Sequence, residues 1–269
     1  MTRFEFPQKV IIITGASSGI GRELAHQLAA QGAWLCLAAR TVERLEAVKA
    51  ECEGLGGRAL VAPTDVRLQG QCENMVRRCV DAYGRIDALV NNAGITMWAR
   101  FEEVDDMGPF EDIMRTNYFG SMYCTHYALP YLKQTGGEIV GISSLAGKNG
   151  IPTRSAYAAS KHAMVGFFDT LRIELTEADV SVTMIYPGFV RSEVRQRAFG
   201  PDGKPLKTSP VREGEVMPVE TCARIIVRAM SRRKREEVMT LRGKVGLWLK
   251  LIAPGLVDRI ALRAIQSGK

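Results

Sequence analysis

The sequence KVIIITGASSGIG at residues 9–21 decides the fold. Its first half, 9–13, is a continuous apolar run that predicts a buried strand. Its second half carries glycines with the spacing GxxxGxG, and a helical pattern over 21–31 follows. Glycines allow a tight turn and a close approach to a pyrophosphate, which the N–H groups at the helix start then bind. We predict a phosphate-binding turn that comprises Gly15, Ser17, Ser18, Gly19 and Ile20. The alternative is a turn that only joins strand and helix.

Short apolar runs alternate with helical patterns along most of the chain. Further strands are predicted at 34–39, 59–62, 88–90, 139–142, 180–185 and 238–241. Helices are predicted at 42–52, 69–83, 109–133, 156–178 and 218–232, with a bend in the third of these near Pro130. Continuous apolar strands separated by helices indicate a parallel sheet that is covered on both faces. The predicted fold class is therefore α/β, a single doubly wound parallel sheet of the Rossmann type with a C-terminal helical extension.

Composition and charge limit the class of protein. The 269 residues are 46% hydrophobic and 24% charged, as in a soluble globular protein. Residues 232–269 hold ten Lys/Arg against three Asp/Glu, an excess equal to the net charge of +7 for the whole chain. The body is thus neutral, which argues against a nucleic-acid partner. Six cysteines without a CxxC pair and three scattered histidines predict no metal site and a reduced, cytoplasmic setting.

Further motifs follow the glycine-rich turn in a fixed order along the chain. They are Asn91-Asn92-Ala93-Gly94 after the fourth strand, Asn117 in the long helix, Ser143-Ser144 after the fifth strand, Tyr157-Ala-Ala-Ser-Lys161 in the next helix, and Pro187-Gly188 after the sixth strand. Together with TGxxxGIG at 14–21, these motifs resemble those of the short-chain dehydrogenase/reductase family over roughly residues 8–242. The resemblance implies a Rossmann-type NADP-binding catalytic domain over 1–242, followed by an extension over 243–269.

The residues after the second strand indicate which nicotinamide cofactor is used. A carboxylate there binds the 2′-hydroxyl of NAD, whereas this sequence has Arg40 and Thr41. Arginine binds phosphate bidentately, and similarity to family members with arginine at this place implies NADP(H). The basic residue that some NADP-preferring relatives carry in the glycine-rich turn is absent, since Ser18 stands there. The alternative is that Arg40 is a solvated loop charge.

The resemblance implies further cofactor contacts at the ends of the later strands. Asp65 and Val66 resemble the adenine-contacting pair, and Asn91 resembles the asparagine that fixes the fourth strand and the cofactor ribose. The backbone near Val190 would contact the nicotinamide, and Ser192 would bond its carboxamide. The implied set also includes Ala93, Gly94, Pro187 and Gly188. The alternative for these residues is loop packing beside the sheet.

Tyr157 and Lys161 are four residues apart and share one face of a helix. A phenol, whose usual pKa is near ~10, is a poor base at neutral pH, but a nearby ammonium and an oxidised nicotinamide favour the phenolate. We predict that Tyr157 is the general acid/base for hydride transfer. The resemblance implies that Lys161 also holds the nicotinamide ribose, that Ser144 polarises the substrate oxygen, and that Asn117 binds a water in a proton relay. Ser143 is the alternative to Ser144.

Substrate contacts are expected at the carboxyl edge of the sheet and in the segment 189–217, which lacks periodicity. The candidates are Ile95, Met97, Trp98, Leu145, Ile151, Pro152, Phe189 and Phe199. The resemblance implies a carbonyl reductase or alcohol dehydrogenase, and because these residues are mostly apolar we predict that its substrate is a hydrophobic ketone or aldehyde and the corresponding alcohol. A 3-oxoacyl-thioester reductase shares the motifs and remains an alternative, and a non-catalytic dinucleotide-binding sensor is another.

The C-terminal extension has a helical apolar pattern. One face carries Leu247, Trp248, Leu251 and Ile252, and after Pro254 it continues with Leu256, Val257, Ile260, Ala261, Ala264 and Ile265. Two short amphipathic helices with a basic polar side are predicted to lie peripherally on an anionic membrane, or else to pack on the protein's own core or on another subunit. This tail and the run SSLAGK at 143–148 look like the hydroxysteroid-dehydrogenase branch of the family. The family resemblance further implies a homodimer or homotetramer through helices 109–133 and 156–178.

Overall fold

A computed structural model describes residues 3–208 and 216–266, with side chains up to residue 263. Its sheet has seven strands that all pair in parallel, in the order β3-β2-β1-β4-β5-β6-β7. The strands are β1 (Val10–Thr14), β2 (Trp34–Ala39), β3 (Arg58–Pro63), β4 (Ala88–Asn91), β5 (Glu138–Ile142), β6 (Ser181–Tyr186) and β7 (Glu236–Val238). The strand order reverses between β1 and β4, so ligands are expected at the carboxyl ends of these two strands.

Helices cover both faces of the sheet. They are α1 (Gly19–Ala29), α2 (Val42–Gly54), α3 (Gln69–Tyr83), α4 (Gly108–Met114), α5 (Gly120–Thr135), α6 (Ser155–Glu174), α7 (Val219–Ser231), α8 (Leu241–Ile252) and α9 (Pro254–Gln266). Apolar residues of α1, α2 and α7 form the core on one face, and those of α3, α5 and α6 form the core on the other. This arrangement confirms the predicted doubly wound α/β fold.

The residues of β1 show why the strands are continuously apolar. Ile11 and Ile13 point into the core under α1 and α7, whereas Val10 and Ile12 point into the core under α3 and α5. All four side chains are fully buried. Because successive side chains of a strand point to opposite faces, a strand buried on both faces must be apolar at every position.

Two predicted elements differ from the structure. The helix predicted at 109–133 is interrupted by a π-helical turn at Arg115–Phe119, while Pro130 lies within α5. The last strand, predicted at 238–241, is β7 at Glu236–Val238. It ends where the predicted strand begins, and α8 already begins at Leu241. The side chain of Thr240 caps this helix by accepting a hydrogen bond from Gly243 N at 3.0 Å, which fixes the helix start where a strand was expected.

The segment 189–217, which lacks a predicted element, is partly ordered by a backbone bridge to the body and by bridges within itself. Phe199 forms a bridge with Met97, and Val190 forms one with Met217. Residues 209–215 of this segment lie outside the described residues, as do 267–269 of the C-terminal extension and the side chains of 264–266. Among the described helices, none is long and apolar enough to cross a membrane.

Candidate active site

The glycine-rich turn between β1 and α1 requires glycine for two separate reasons. Gly15 and Gly19 have left-handed backbone angles, with φ of 67° and 54°. Gly21 is helical, but a Cβ there would lie 2.3 Å from Gly15 O and 2.6 Å from Asn92 Nδ2. The backbone is therefore too close at Gly21 for any side chain, and the turn fits the predicted phosphate site.

Hydrogen bonds from the end of β4 hold this turn in place. Asn92 Nδ2 donates to Thr14 O at 2.9 Å and to Gly15 O at 3.3 Å. The Thr14 hydroxyl in turn accepts from the backbone N–H groups of Asn92 and Ala93, both at 3.0 Å, and donates to Val90 O at 3.2 Å. The turn is thus tied to the strand beside it, which gives it a fixed shape before any ligand binds.

The first turn of α1 is free to bind an anion. Ser18 stands at the N-cap with extended backbone angles, its side chain makes no capping hydrogen bond, and the first turn contains no acidic residue. A cavity of about 280 Å³ lies against this turn; Ser17, Ser18, Gly19, Arg22, Arg44 and Glu193 are among the residues that line it. Unpaired N–H groups and the positive end of the helix dipole suit a pyrophosphate. These residues fit a dinucleotide.

Beyond β2, Arg40 and Thr41 are both exposed. The guanidinium of Arg40 has no hydrogen bond or ion pair with another described residue, so it is available to a ligand. Asp65 is differently placed, because Arg67 binds both of its carboxylate oxygens and lowers its pKa. Arg67 also bonds Asp112 at 3.1 Å. Arg67 thus fixes the Asp65 carboxylate just after β3, and the adenine contact of Asp65 and Val66 stays a prediction.

The remaining predicted cofactor residues surround the carboxyl ends of β4 and β6. Asn91 is buried and donates to Thr125 Oγ1 at 3.0 Å, while its Oδ1 has no partner among the described residues. Pro187 O accepts a hydrogen bond from Leu145 N, and Val190 is buried. Ser192 lies over the glycine-rich turn, since a Cβ on Gly19 would be 3.3 Å from Ser192 Cβ. Ser192 is therefore brought close to the predicted phosphate site.

Lys161 is buried at the centre of the site. Its Nζ donates to Ile142 O, the last carbonyl of β5, at 2.8 Å and lies 3.4 Å from Met164 Sδ. Burial lowers the pKa of Lys161 to about 7. The Nζ lies 5.8 Å from the centroid of the Tyr157 ring, so the two predicted catalytic side chains do share one face of α6.

Asn117 lies in the π-helical turn and is fully buried. Its amide is fixed at both ends, because Oδ1 accepts from Ile95 N at 2.9 Å and Nδ2 donates to Ile95 O at 3.0 Å and to Ser160 Oγ at 2.9 Å. A Cβ on Gly94 would lie 3.2 Å from Asn117 Oδ1 and 3.6 Å from Lys161 Nζ. The structure thus brings Gly94, Asn117 and Lys161 together. A π-turn is a frequent feature of functional sites in helices.

The two serines after β5 have different surroundings. The Ser143 hydroxyl is buried and contacts Lys161 O at 3.4 Å. The Ser144 side chain is only partly buried and accepts from Ala146 N at 3.2 Å. The hydroxyl hydrogen of Ser144 is therefore available to a substrate oxygen, which favours Ser144 over Ser143 as the polarising residue.

The ring of Tyr157 faces two cations. Besides Lys161, the guanidinium of Arg154 lies over it, with Cζ 4.7 Å from the ring centroid. Arg154 also lies 4.9 Å from the centroid of the Trp98 ring, and its Nη2 donates to Thr96 Oγ1 at 2.8 Å. The Trp98 and Phe189 rings are 6.2 Å apart, which places two predicted substrate contacts side by side.

Other predicted substrate residues are divided between core and cavity. Met97 is only 1% exposed and packs in a small apolar cluster with Ile113 and Ala156, so it supports the site wall from behind. Ile151 and Pro152 line a cavity of about 450 Å³ that also contacts Leu262 of α9.

Sequence reasoning missed Arg154, Ser160, Asn92 and Thr14 as members of the site. Ser160 could have been found from its spacing, because it stands three residues after Tyr157 and its hydroxyl donates to Tyr157 O at 2.8 Å. The role of Asn92 depends on two strands that are distant in sequence. No local pattern indicates that the Arg154 cation is buried.

Comparison with known proteins agrees with this geometry. The sequence profile described as short chain dehydrogenase matches residues 9–201. The chain belongs to this family. It is therefore a dehydrogenase-type oxidoreductase that binds a nicotinamide dinucleotide and a small-molecule substrate.

Relatives of this short chain dehydrogenase include plant, amoebal and archaeal proteins. The chain is 38% identical over 253 residues to an 11-beta-hydroxysteroid dehydrogenase-like protein 4A of Arabidopsis thaliana, which covers 93% of this chain and 82% of the relative. It is 38% identical to a dehydrogenase/reductase SDR family protein 7-like of Dictyostelium discoideum, over 97% of this chain and 83% of that one. A similar solved structure is an alcohol dehydrogenase from the archaeon Thermococcus sibiricus complexed with 5-hydroxy-NADP, with 28% identity, a TM-score of 0.71, and coverage of 83% of this chain and 90% of that one.

Proposed function

We propose that this short chain dehydrogenase interconverts a hydrophobic ketone or aldehyde and its alcohol with NADP(H), with Tyr157 as general acid/base. The observation that carries the proposal is the convergence of Gly94, Asn117 and Lys161 beside the Tyr157 ring at the carboxyl edge of the sheet. The apolar rings of Trp98 and Phe189 next to that ring favour a hydrophobic substrate. Relatives named for hydroxysteroid and alcohol substrates support the same pair of functional groups.

The proposed mechanism divides the work between the cofactor and four side chains. A bound nicotinamide dinucleotide supplies or accepts the hydride. Tyr157 donates a proton to the carbonyl oxygen in reduction and takes it back in oxidation. Ser144 donates a hydrogen bond to the same oxygen and stabilises its negative charge. Lys161 favours the phenolate and holds the ribose hydroxyls, while Asn117 holds a water that links Lys161 to solvent.

The preference for NADP(H) is proposed from Arg40. Its guanidinium is exposed and without a partner among the described residues, and no carboxylate occupies the corresponding place. We expect Arg40→Ala to raise the KM for NADPH by about 10- to 100-fold, the value of one or two charge-assisted hydrogen bonds, and to leave the KM for NADH within about twofold. Steady-state kinetics with both cofactors measure this.

The matched control for Arg40→Ala is Arg77→Ala, which removes an exposed arginine of α3 that bonds only Asn74 among the described residues. Arg77→Ala should leave both KM values unchanged. An equal loss of affinity for NADPH and NADH in Arg40→Ala would contradict the assignment of the 2′-phosphate to Arg40.

A panel of hydrophobic ketones, aldehydes, alcohols and a 3-oxoacyl thioester, followed by NADPH absorbance, tests the substrate class.

A homodimer or homotetramer is proposed through the surface of α5 and α6. Aromatic rings of the π-helical turn before α5 and of α6 lie in contact there: Tyr118 is 5.1 Å from Phe119 and 6.2 Å from Phe167, measured between ring centroids. Phe119 is 37% exposed, so part of this surface lies open in the single chain. An apolar aromatic surface of this kind is typical of subunit contacts. Light scattering distinguishes the dimer from the tetramer.

We also propose a cytoplasmic enzyme whose tail lies peripherally on an anionic membrane. The α8 and α9 helices expose Leu241, Val245, Trp248, Leu251, Ile252, Leu256, Ile260 and Leu262. Leu247 packs on the core, so the predicted packing on the protein's own body takes up only part of the apolar face. Five Lys/Arg and one Asp stand among residues 241–263, and cations beside exposed apolar side chains suit anionic lipid.

We expect the double variant Trp248→Asp/Leu251→Asp to lose binding to phosphatidylserine vesicles, because both side chains are more than 70% exposed and the change leaves the core intact. Vesicle flotation measures this, with phosphatidylcholine vesicles as the uncharged reference. The control is Leu55→Asp at the end of α2, whose side chain is 47% exposed on the β3 side of the sheet, opposite the β7 edge that α8 contacts. Equal recovery of all three proteins would exclude the tail as the membrane contact.

A further inference from the structure

A buried arginine lies beside the proposed proton donor and is not used by the mechanism above. Arg154 is 7% exposed, and its Nε is buried without a hydrogen-bond partner among the described residues. No carboxylate within the described ranges pairs with it. A buried cation without a counter-charge is costly, so Arg154 strongly favours negative charge on a neighbouring group.

Besides its hydrogen bond to Thr96, the guanidinium contacts two aromatic rings among the described residues. Its Cζ lies 4.7 Å from the centroid of Tyr157 and 4.9 Å from that of Trp98, within the range of cation–π attraction. When a phenol ionises, negative charge spreads into its ring, and a cation over the ring face then stabilises the phenolate more than the phenol. The ring of Trp98 cannot ionise in this way, so Tyr157 is the responsive partner.

We infer that Arg154 is a positioning residue that acts through Tyr157, by holding a permanent positive charge over its ring and so favouring the phenolate. This inference rests on the proposed function. It assigns to Arg154 part of the electrostatic role that the motif alone gives to Lys161.

The two cations differ in what they contribute. Burial lowers the pKa of Lys161 to about 7, so its amine is partly uncharged at neutral pH. Burial also lowers the pKa of Arg154, but a guanidinium stays protonated in proteins. Within the described part of the chain, the charged groups that face Tyr157 are Lys161 from its own helix and Arg154 from the helix start, while Arg195 on the segment after β6 repels Arg154. The constant charge comes from Arg154.

The test is the pH dependence of kcat/KM for alcohol oxidation with NADP+, which requires the phenolate. In Arg154→Gln the acidic limb of this pH profile should shift to higher pH by about one unit. The value of kcat/KM should therefore fall about tenfold at neutral pH and recover at high pH. Arg154→Lys keeps a positive charge, so its acidic limb should lie at a pH between those of Arg154→Gln and the wild type. NADPH binding, followed by fluorescence, should be unchanged in both variants.

The variant Thr96→Val distinguishes the effect of the Arg154 charge from the effect of its hydrogen bond and packing. It removes the 2.8 Å hydrogen bond to Nη2 but keeps the guanidinium, so its acidic limb should stay at the wild-type pH. A uniform loss of rate at all pH values in Arg154→Gln, with no movement of the limb, would overturn the inference, as would an equal movement in Thr96→Val. Were Arg154→Gln to fail to fold, a shifted acidic limb in Thr96→Val, which keeps the guanidinium, would by itself overturn the inference. If Tyr157→Phe retained turnover, the proposed function itself would fail.

Discussion

Tyr157→Phe should lower kcat by about 10²- to 10⁴-fold, the usual contribution of a general acid/base, while NADPH still binds. The substitution removes one hydroxyl and keeps the ring. The contacts of that ring with Arg154 at 4.7 Å and with Lys161 at 5.8 Å are therefore retained, and the fold is undisturbed. Initial rates of ketone reduction at saturating substrate give kcat, and quenching of protein fluorescence measures NADPH binding.

The matched control is Tyr83→Phe. Tyr83 is half-buried on α3, and its hydroxyl donates to Leu35 O at 3.3 Å, away from the carboxyl edge of the sheet. Its loss should cost no more than about 1 kcal/mol of the free energy of unfolding and should leave kcat unchanged. Turnover of Tyr157→Phe at the wild-type rate would remove Tyr157 from the mechanism.

Gly21→Ala should nearly abolish NADPH binding. A Cβ at Gly21 would stand 2.3 Å from Gly15 O and 2.6 Å from Asn92 Nδ2, so the turn must move and the Asn92 hydrogen bonds to β1 must break. We expect the Kd for NADPH to rise by about 100-fold or more, since several phosphate hydrogen bonds depend on that turn. The free energy of unfolding should fall by about 1–3 kcal/mol, as in other overpacked sites.

Gly166→Ala is the control for Gly21→Ala. Gly166 is also helical, in α6, but a Cβ there meets nothing within 4 Å. Alanine should therefore raise the stability by about 0.5–1 kcal/mol and leave NADPH binding unchanged. Fluorescence titration and thermal unfolding of both variants give the comparison. An unchanged Kd in Gly21→Ala would mean that the turn does not bind the phosphates.

The sequence predicted the strands well because they are buried on both faces. A run such as Trp34–Ala39 is apolar throughout, and its predicted bounds coincide with those of β2. The helix Gln69–Tyr83 is likewise confirmed at both ends. Periodicity could not predict the π-helical turn, which forms where Gly120 packs so closely on Val66 that a Cβ would lie 2.7 Å from Val66 Cγ2. That contact joins residues far apart in the sequence.

The residues of the candidate site also differ in whether the sequence could predict them. The motif residues could be predicted because their spacing places them on known strand ends and one helix face, as the contact of Lys161 with the Tyr157 ring illustrates. Arg154 could not, because its burial depends on Thr96 and Trp98, which the fold brings to it from the segment after β4. The site roles of all these residues stay predictions until the variants are measured.

The bond from Lys161 Nζ to Ile142 O connects the amine to the last carbonyl of a central strand. The position of the Lys161 amine is therefore set by the buried strand β5 as well as by α6. Local opening at the amino end of α6 would displace the Tyr157 phenol, while the Lys161 amine stays hydrogen-bonded to β5. In amide exchange, the turn that carries Tyr157 should open well before the backbone of β5, and cofactor binding should slow the first far more than the second.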